Sequence, residues 1–246
     1  MGKTLHHIAA DRGITRIGWL YSRHTFSFGG YQDPSRTNFG ALRVLNDDVV
    51  SGGMGFGEHP HRNMEIVSIP LEGELEHRDS MGNVAVIREG DIQVMSAGTG
   101  VFHSEYNRNP DRPVKFLQIW IHPNRMNVQP RYQQITMQPA ARHNRLQRVL
   151  SPDPDDGAVW IHQDAWFHMG TFDADKADTY DLQKTGNGVY AFVVKGSFEM
   201  EGTRLGERDG LCIADTRKIS LRALTDNSEI LLMEVPLEGF PSWDRT

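Results

Sequence analysis

Residues 57–65 read Gly57-Glu58-His59-Pro60-His61-Arg62-Asn63-Met64-Glu65, and the β-branched run Met64 to Leu71 (MEIVSIPL) follows directly. Such a run forms a buried strand, so the two histidines stand at the entrance to a strand. In extended chain alternate side chains share a face, which lets His59 and His61 direct both imidazoles at one spot. A His-x-His pair also arises by chance, so it gains meaning only from a partner. Gly98-Thr99-Gly100-Val101-Phe102-His103-Ser104-Glu105 supplies one, because His103 and Glu105 have the same two-residue spacing. Two such pairs can meet across neighbouring strands. Their union, three imidazoles and one carboxylate without sulfur, suits Fe, Mn, Ni, Co, Cu or Zn rather than a thiolate-rich structural zinc.

Working outward, similar short runs recur at Ala41–Asn46, Asn83–Arg88, Asp91–Met95 and Lys115–Ile121, and again at Val189–Val194, Leu211–Ala214, Ile219–Ala223 and Ile230–Val235. Gly, Pro, Asn and Asp punctuate them, and no segment has a sustained helical period with caps at both ends. The expected fold class is all-β, built as sandwich or barrel units. Two stretches look like copies of one unit. One runs strand, Gly73, strand, then Arg88-Glu89-Gly90-Asp91-Ile92; the other runs strand, Gly196, strand, then Glu207-Arg208-Asp209-Gly210-Leu211. Two similar domains are therefore expected, residues 1–150 and 151–246, with the Pro- and Asp-rich stretch Ser151 to Gly157 as linker.

The 246 residues are 38% hydrophobic and 24% charged, a globular profile. A chain this long buries roughly 70–75% of its unfolded surface on folding, so stability alone does not call for a metal. Cys212 is the only cysteine, and the N-terminal segment has no apolar stretch of signal-peptide length. The expected compartment is the reducing cytoplasm, and no apolar run approaches a membrane span. The net charge of −6, with basic residues scattered, disfavours direct nucleic-acid binding, which rests on clustered Lys and Arg.

The motifs resemble those of the cupin superfamily. Its pattern G-x5-H-x-H-x3,4-E-x6-G is matched by Gly53, His59, His61 and Glu65, with Glu65 one residue early and Gly73 one late. The companion pattern G-x5-P-x-G-x2-H-x3-N is matched by Gly90, Gly98, His103 and Asn107; Ser96 stands where proline is usual, and four residues rather than two separate Gly98 from His103. These departures, with Glu105 after His103, resemble the pirin branch, which includes bacterial pirin-like quercetinases. So do His24-Thr25-Phe26-Ser27-Phe28, Leu71-Glu72-Gly73, Asp79-Ser80-Met81-Gly82-Asn83 and His103-Ser104-Glu105-Tyr106-Asn107. The resemblance implies a double cupin whose N-terminal domain holds one divalent transition metal through His59, His61, His103 and Glu105. Iron is the first expectation, with nickel, manganese, cobalt, copper and zinc as alternatives.

Glu65 is read as part of the strand's polar surroundings rather than as a ligand, because a one-residue shift turns a side chain to the opposite face. His77 and Asp79 form another extended pair but face no second pair, so a hydrogen-bonding role is expected of them. His6, His7, His162 and His168 have no matching partners. Phe28, Phe56 and Trp120 are candidates for core or substrate wall. All 11 histidines lie at or before residue 168. Counting back from Gly196 as from Gly73 puts Leu182 and Lys184 where His59 and His61 would be, so the second domain is expected to be metal-free.

The resemblance implies a quercetin 2,3-dioxygenase-like oxidoreductase acting on a flavonol or small aromatic enol with dioxygen. Glu105 would serve as catalytic proton acceptor as well as ligand. The alternative is a non-catalytic, redox-responsive regulatory protein that uses its metal to alter a surface for a protein partner. A third is a sugar or carboxylic-acid enzyme with the same ligand set.

Overall fold

A computed structural model describes residues 2–241 and 243. The chain begins with β1 (Lys3–His7), β2 (Gly13–Ile17), β3 (Leu20–His24), β4 (Leu42–Val50), β5 (Gly55–His61) and β6 (Glu65–Glu72). It continues with β7 (Glu74–Asp79), β8 (Val84–Arg88), β9 (Asp91–Ser96), β10 (Val101–Asn107), β11 (Val114–Ile121) and β12 (Arg131–Thr136). After a short helix, α1 (Pro139–Arg142), come β13 (Gln147–Ser151), β14 (Val159–Trp160), β15 (Trp166–Phe172), β16 (Ala177–Asp181) and β17 (Asn187–Lys195). The last are β18 (Phe198–Met200), β19 (Thr203–Leu205), β20 (Gly210–Ala214), β21 (Lys218–Ala223) and β22 (Ser228–Pro236). No helix among the described residues is long and apolar enough to cross a membrane.

The first half pairs a seven-stranded sheet, β12-β9-β6-β11-β4-β3-β2, with a four-stranded one, β5-β10-β7-β8; the second half repeats this with β1-β20-β17-β22-β15-β13-β14 and β16-β21-β18-β19. The order β9-β6-β11-β4 of the one recurs as β20-β17-β22-β15 in the other, so the repeat seen around Gly73 and Gly196 extends to whole sandwiches. The two seven-stranded sheets share one apolar core, in which Val67, Ile69 and Leu117 of the first meet Phe167, Phe192 and Leu231 of the second. Alternation on β6 explains the division of labour: Val67 and Ile69 face that shared core, while Ile66 belongs to a small cluster with Met95 and Val101 inside the first sandwich.

Two details differ from the sequence expectations. Ser151 to Gly157 connects β13 to β14 within one sheet, and β13 pairs with both β14 and β15. It is thus a loop of the second sandwich and not a link between two bodies. Strand β1 joins that same far sheet, Leu5 standing opposite Cys212, so the proposed division at 150/151 is crossed by residues 3–7 and 147–150. Arg208 adds a polar tie between the halves by donating from Nε to Asp47 Oδ2 at 2.9 Å.

Candidate metal centre

His59 and His61 lie on their own strand, β5, which ends at His61, and not on the following one. β5 and β10 run antiparallel with His59 opposite His103 and His61 opposite Val101. The register then shifts, putting Glu105 opposite Phe56; this bulge accommodates an extra β5 residue and re-aims the side chains beside it. The other edge of β10 pairs with β7, where His103 meets Asp79 and Glu105 meets His77. The sequence expectation that His77 and Asp79 face no second pair is therefore overturned. It depended on knowing that β7 and not β8 lies beside β10.

The three imidazoles of His59, His61 and His103 converge, with ring centroids 4.4–4.9 Å apart. Their candidate ligand atoms lie within 4.8 Å of one another, and so do those of a second group, His77, His103 and Glu105. His103 is common to both. It is buried, and neither of its ring nitrogens has a hydrogen-bond partner among the described residues. Buried polar atoms are seldom left unmet, so a donor set of this kind fits a divalent transition metal. Burial lowers the His103 pKa to about 3 and that of His61 to about 4, with the neighbouring imidazoles adding to the shift. Both are neutral at physiological pH, the form that offers a lone pair. His59 Nδ1 lies 2.8 Å from the carbonyl of Gly57; donating there fixes the tautomer and leaves the Nε2 lone pair available to an ion.

Glu105 is 2% exposed. Gln118 donates from Nε2 to its Oε2 at 2.7 Å, and the Ser68 hydroxyl lies 3.1 Å from its Oε1. The same hydroxyl lies 2.9 Å from Gln118 Oε1. His77 is buried as well, its Nε2 3.0 Å from Asp79 Oδ2. Burial alone would raise the Asp79 pKa, but hydrogen bonds from His77 and Asn83 hold it below the usual value. His77 Nδ1 too is buried without a partner among the described residues.

Glu65 points elsewhere. It accepts from Ser96 Oγ at 2.6 Å and from the backbone N–H of His162, and burial lifts its pKa to about 7. It shares the β6 face of Val67 and Ile69, away from Ser68 and Glu105. Phe28, Phe56 and Trp120 all line a cavity of about 360 Å³ that opens onto His59, His61 and Glu105. Nothing in the sequence singles out Ser68 or Gln118; their signal is alternation on β6 and β11, read only once the strands are paired.

The second sandwich is built differently inside. Leu182 and Lys184 lie just beyond β16, which ends at Asp181, so the count from Gly196 overshoots the strand. Tyr180 is the β16 residue opposite Ile219 of β21, and Ile219, Leu221 and Ala223 belong to a continuous apolar cluster.

The pirin family's sequence profile matches residues 7–121. The chain belongs to the pirin family. Residues 148–235 match the profile of the quercetinase C-terminal cupin domain, so the molecule is an all-β protein with two cupin domains. The chain is 43% identical to quercetin 2,3-dioxygenase of Escherichia coli K12 over 228 residues, covering 93% of this chain and 96% of that one. It is 38% identical to a pirin-like protein of Caulobacter vibrioides over 218 residues, 88% of this chain and 93% of the other. Among solved structures it is similar to YhhW of Escherichia coli, with a TM-score of 0.91 at 41% identity across 97% of this chain and all of that one. It is also similar to bacterial pirin YhhW in complex with nickel(II), with a TM-score of 0.90 at 41% identity over 95% and 99% of the two chains.

Proposed function

We propose that this pirin is a metal-dependent dioxygenase that opens a flavonol such as quercetin, with the ion held by His59, His61, His103 and Glu105. The observation that carries the reading is the buried, unpartnered His103 at the junction of two donor groups, beside an aromatic-lined cavity. The names of its relatives support the substrate class, and the nickel(II) complex of YhhW makes nickel, with iron, the metal to test first.

A bound divalent ion lowers the pKa of an enol hydroxyl and orients it. The chain's own residues supply the rest. Phe28, Phe56 and Trp120 hold the aromatic body and exclude water from the cavity. Glu105 takes the enol proton at Oε1, while Gln118 keeps Oε2 in place. Ser68 makes this uptake inexpensive because its single proton has two acceptors. When Glu105 is ionised the hydroxyl donates to it; when Oε1 is protonated the hydroxyl turns to Gln118 Oε1, and Glu105 donates to Ser68.

The test is oxygen uptake and carbon monoxide release on quercetin by protein reconstituted separately with nickel, iron, manganese, cobalt, copper and zinc. Turnover by at least one form is expected. If none consumes oxygen with any flavonol, the regulatory reading replaces this one.

A further inference from the structure

The cavity has a second polar wall that metal binding does not use. It is formed by β3 and β4, where Ser22 stands opposite Asp48 and His24 opposite Asn46, with Gln118 of β11 opposite Asn46 on the other side. Most of this wall is committed to itself. His24 has its Nδ1 2.8 Å from Asn46 Oδ1 and its Nε2 2.8 Å from Thr15 Oγ1, so both ring nitrogens are used.

Asp48 is the exception. It lines the cavity and is only 4% exposed; the Ser22 hydroxyl bonds to its carboxyl, yet Oδ1 has no partner among the described residues. An unmet carboxyl oxygen at such depth is costly, and no cation pairs with it among the described ion pairs. The surroundings specify what could meet it. Phe28 and Trp120 meet edge to face at 5.4 Å, and Leu20 and Phe56 continue the apolar lining. Flat aromatic surface therefore fits between the wall and the imidazoles. The volume of about 360 Å³ falls in the range of roughly 300–1,000 Å³ typical of small-molecule sites.

We propose that Asp48 is a substrate-binding residue that accepts a hydrogen bond from a second hydroxyl of the ligand, one other than the enol. The preferred ligands are then aromatic enols carrying at least one further phenolic hydroxyl. This deepens the flavonol reading and rests on it.

The experiment compares quercetin with 3-hydroxyflavone, which keeps the enol and keto groups but lacks the other hydroxyls. Binding to nickel-loaded full-length protein is measured without oxygen for wild type, Asp48→Leu and Asp48→Asn. Wild type should prefer quercetin about tenfold or more. Asp48→Leu should weaken quercetin binding about tenfold and leave 3-hydroxyflavone unchanged, while Asp48→Asn, which keeps an acceptor oxygen, retains part of the preference. An unchanged preference in Asp48→Leu, or no preference in wild type, overturns the proposal. If Asp48→Leu fails to fold, Asp48→Asn carries the test, and a preference in that variant equal to wild type's overturns the proposal. Oxygen uptake on the same samples separates the two ideas: selective binding lost in Asp48→Leu without any turnover sinks the dioxygenase reading and leaves Asp48 as the selecting group. Failure of wild type to bind either ligand overturns both.

Discussion

Gln118 donates from Nε2 to Oε2 of Glu105 across 2.7 Å, so the buried carboxylate is held by an amide, with no cation against it among the described ion pairs. An arginine there would lock Glu105 as an anion. A neutral donor steadies the group while leaving its charge for an ion and its second oxygen for a proton.

Replacing Gln118 by Leu should leave Oε2 unmet at a cost of about 1–3 kcal/mol. Oxygen uptake on quercetin is expected to fall about tenfold or more, at metal content within twofold of wild type. Ser68→Ala should act in the same direction, since Oε1 then has no hydroxyl to follow its protonation. Kinetics with metal analysis on each preparation check both; unchanged turnover in the two variants would remove the proton-handling role.

Glu105→Gln keeps a coordinating oxygen but cannot take the proton. It should retain part of the metal and lose about a hundredfold or more of the activity, the range for a general base. Full activity would refute the proton-acceptor assignment while leaving the enzyme intact.

His59→Ala, His61→Ala and His103→Ala should each strongly lower nickel content, with His103→Ala the worst because both donor groups contain it. His77→Ala should retain the metal, and wild type should bind one ion per chain. Elemental analysis and titration calorimetry decide. If His77→Ala loses as much metal as His59→Ala, the inner group with Glu105 is the true site; two ions of similar affinity would contradict a structural second domain.

Acid should destabilise the metal-free protein. Burial lowers His7, His61 and His168 to about 4 and His103 to about 3. From about pH 6.5 downward the unfolded chain takes up protons that these folded histidines refuse, so their contribution is full above that pH and lost on acidification. Asp48 and Glu65, raised to about 7 by burial, act in the opposite sense. Below pH 7 the folded state holds protons on them that the unfolded state releases until about pH 4. Four histidines outweigh two carboxyls, so melting temperatures of apo-protein should be lower at pH 5 than at pH 7. A rise would mean that the carboxyls dominate.

Much of this molecule can be read from its sequence because strands such as β6, β9, β11, β17 and β22 are rich in Val, Ile, Leu, Met and aromatic residues and are buried along most of their length. β1, β2 and β3 escape that reading: KTLHH, GITRI and LYSRH mix polar and apolar residues, β1 and β2 at sheet edges and β3 next to one. The paired His-x-His and His-x-Glu were visible because their spacing is local. His77 was visible as a spacing but not as a neighbour of Glu105, since that depends on strand order. Even a correct repeat can mislead in detail. Gly90, at φ +90°, turns the chain between β8 and β9, whereas Gly210 opens β20, where an added Cβ would collide with the hydroxyl of Tyr190. In the second copy the left-handed turn residue is Arg208, at φ +67°.

The placement of β1 in the far sheet sets a timetable. His6 and Asp209, which meet at 3.0 Å, are 203 residues apart in the chain, so a ribosome must deliver nearly the whole polypeptide before β1 can dock on β20. The first cupin can close early, but the second keeps an open strand edge until synthesis is almost finished, and such edges recruit other chains. Bulk fused at the amino end would therefore disturb the last half to mature, and the second cupin expressed without residues 3–7 would carry that open edge permanently.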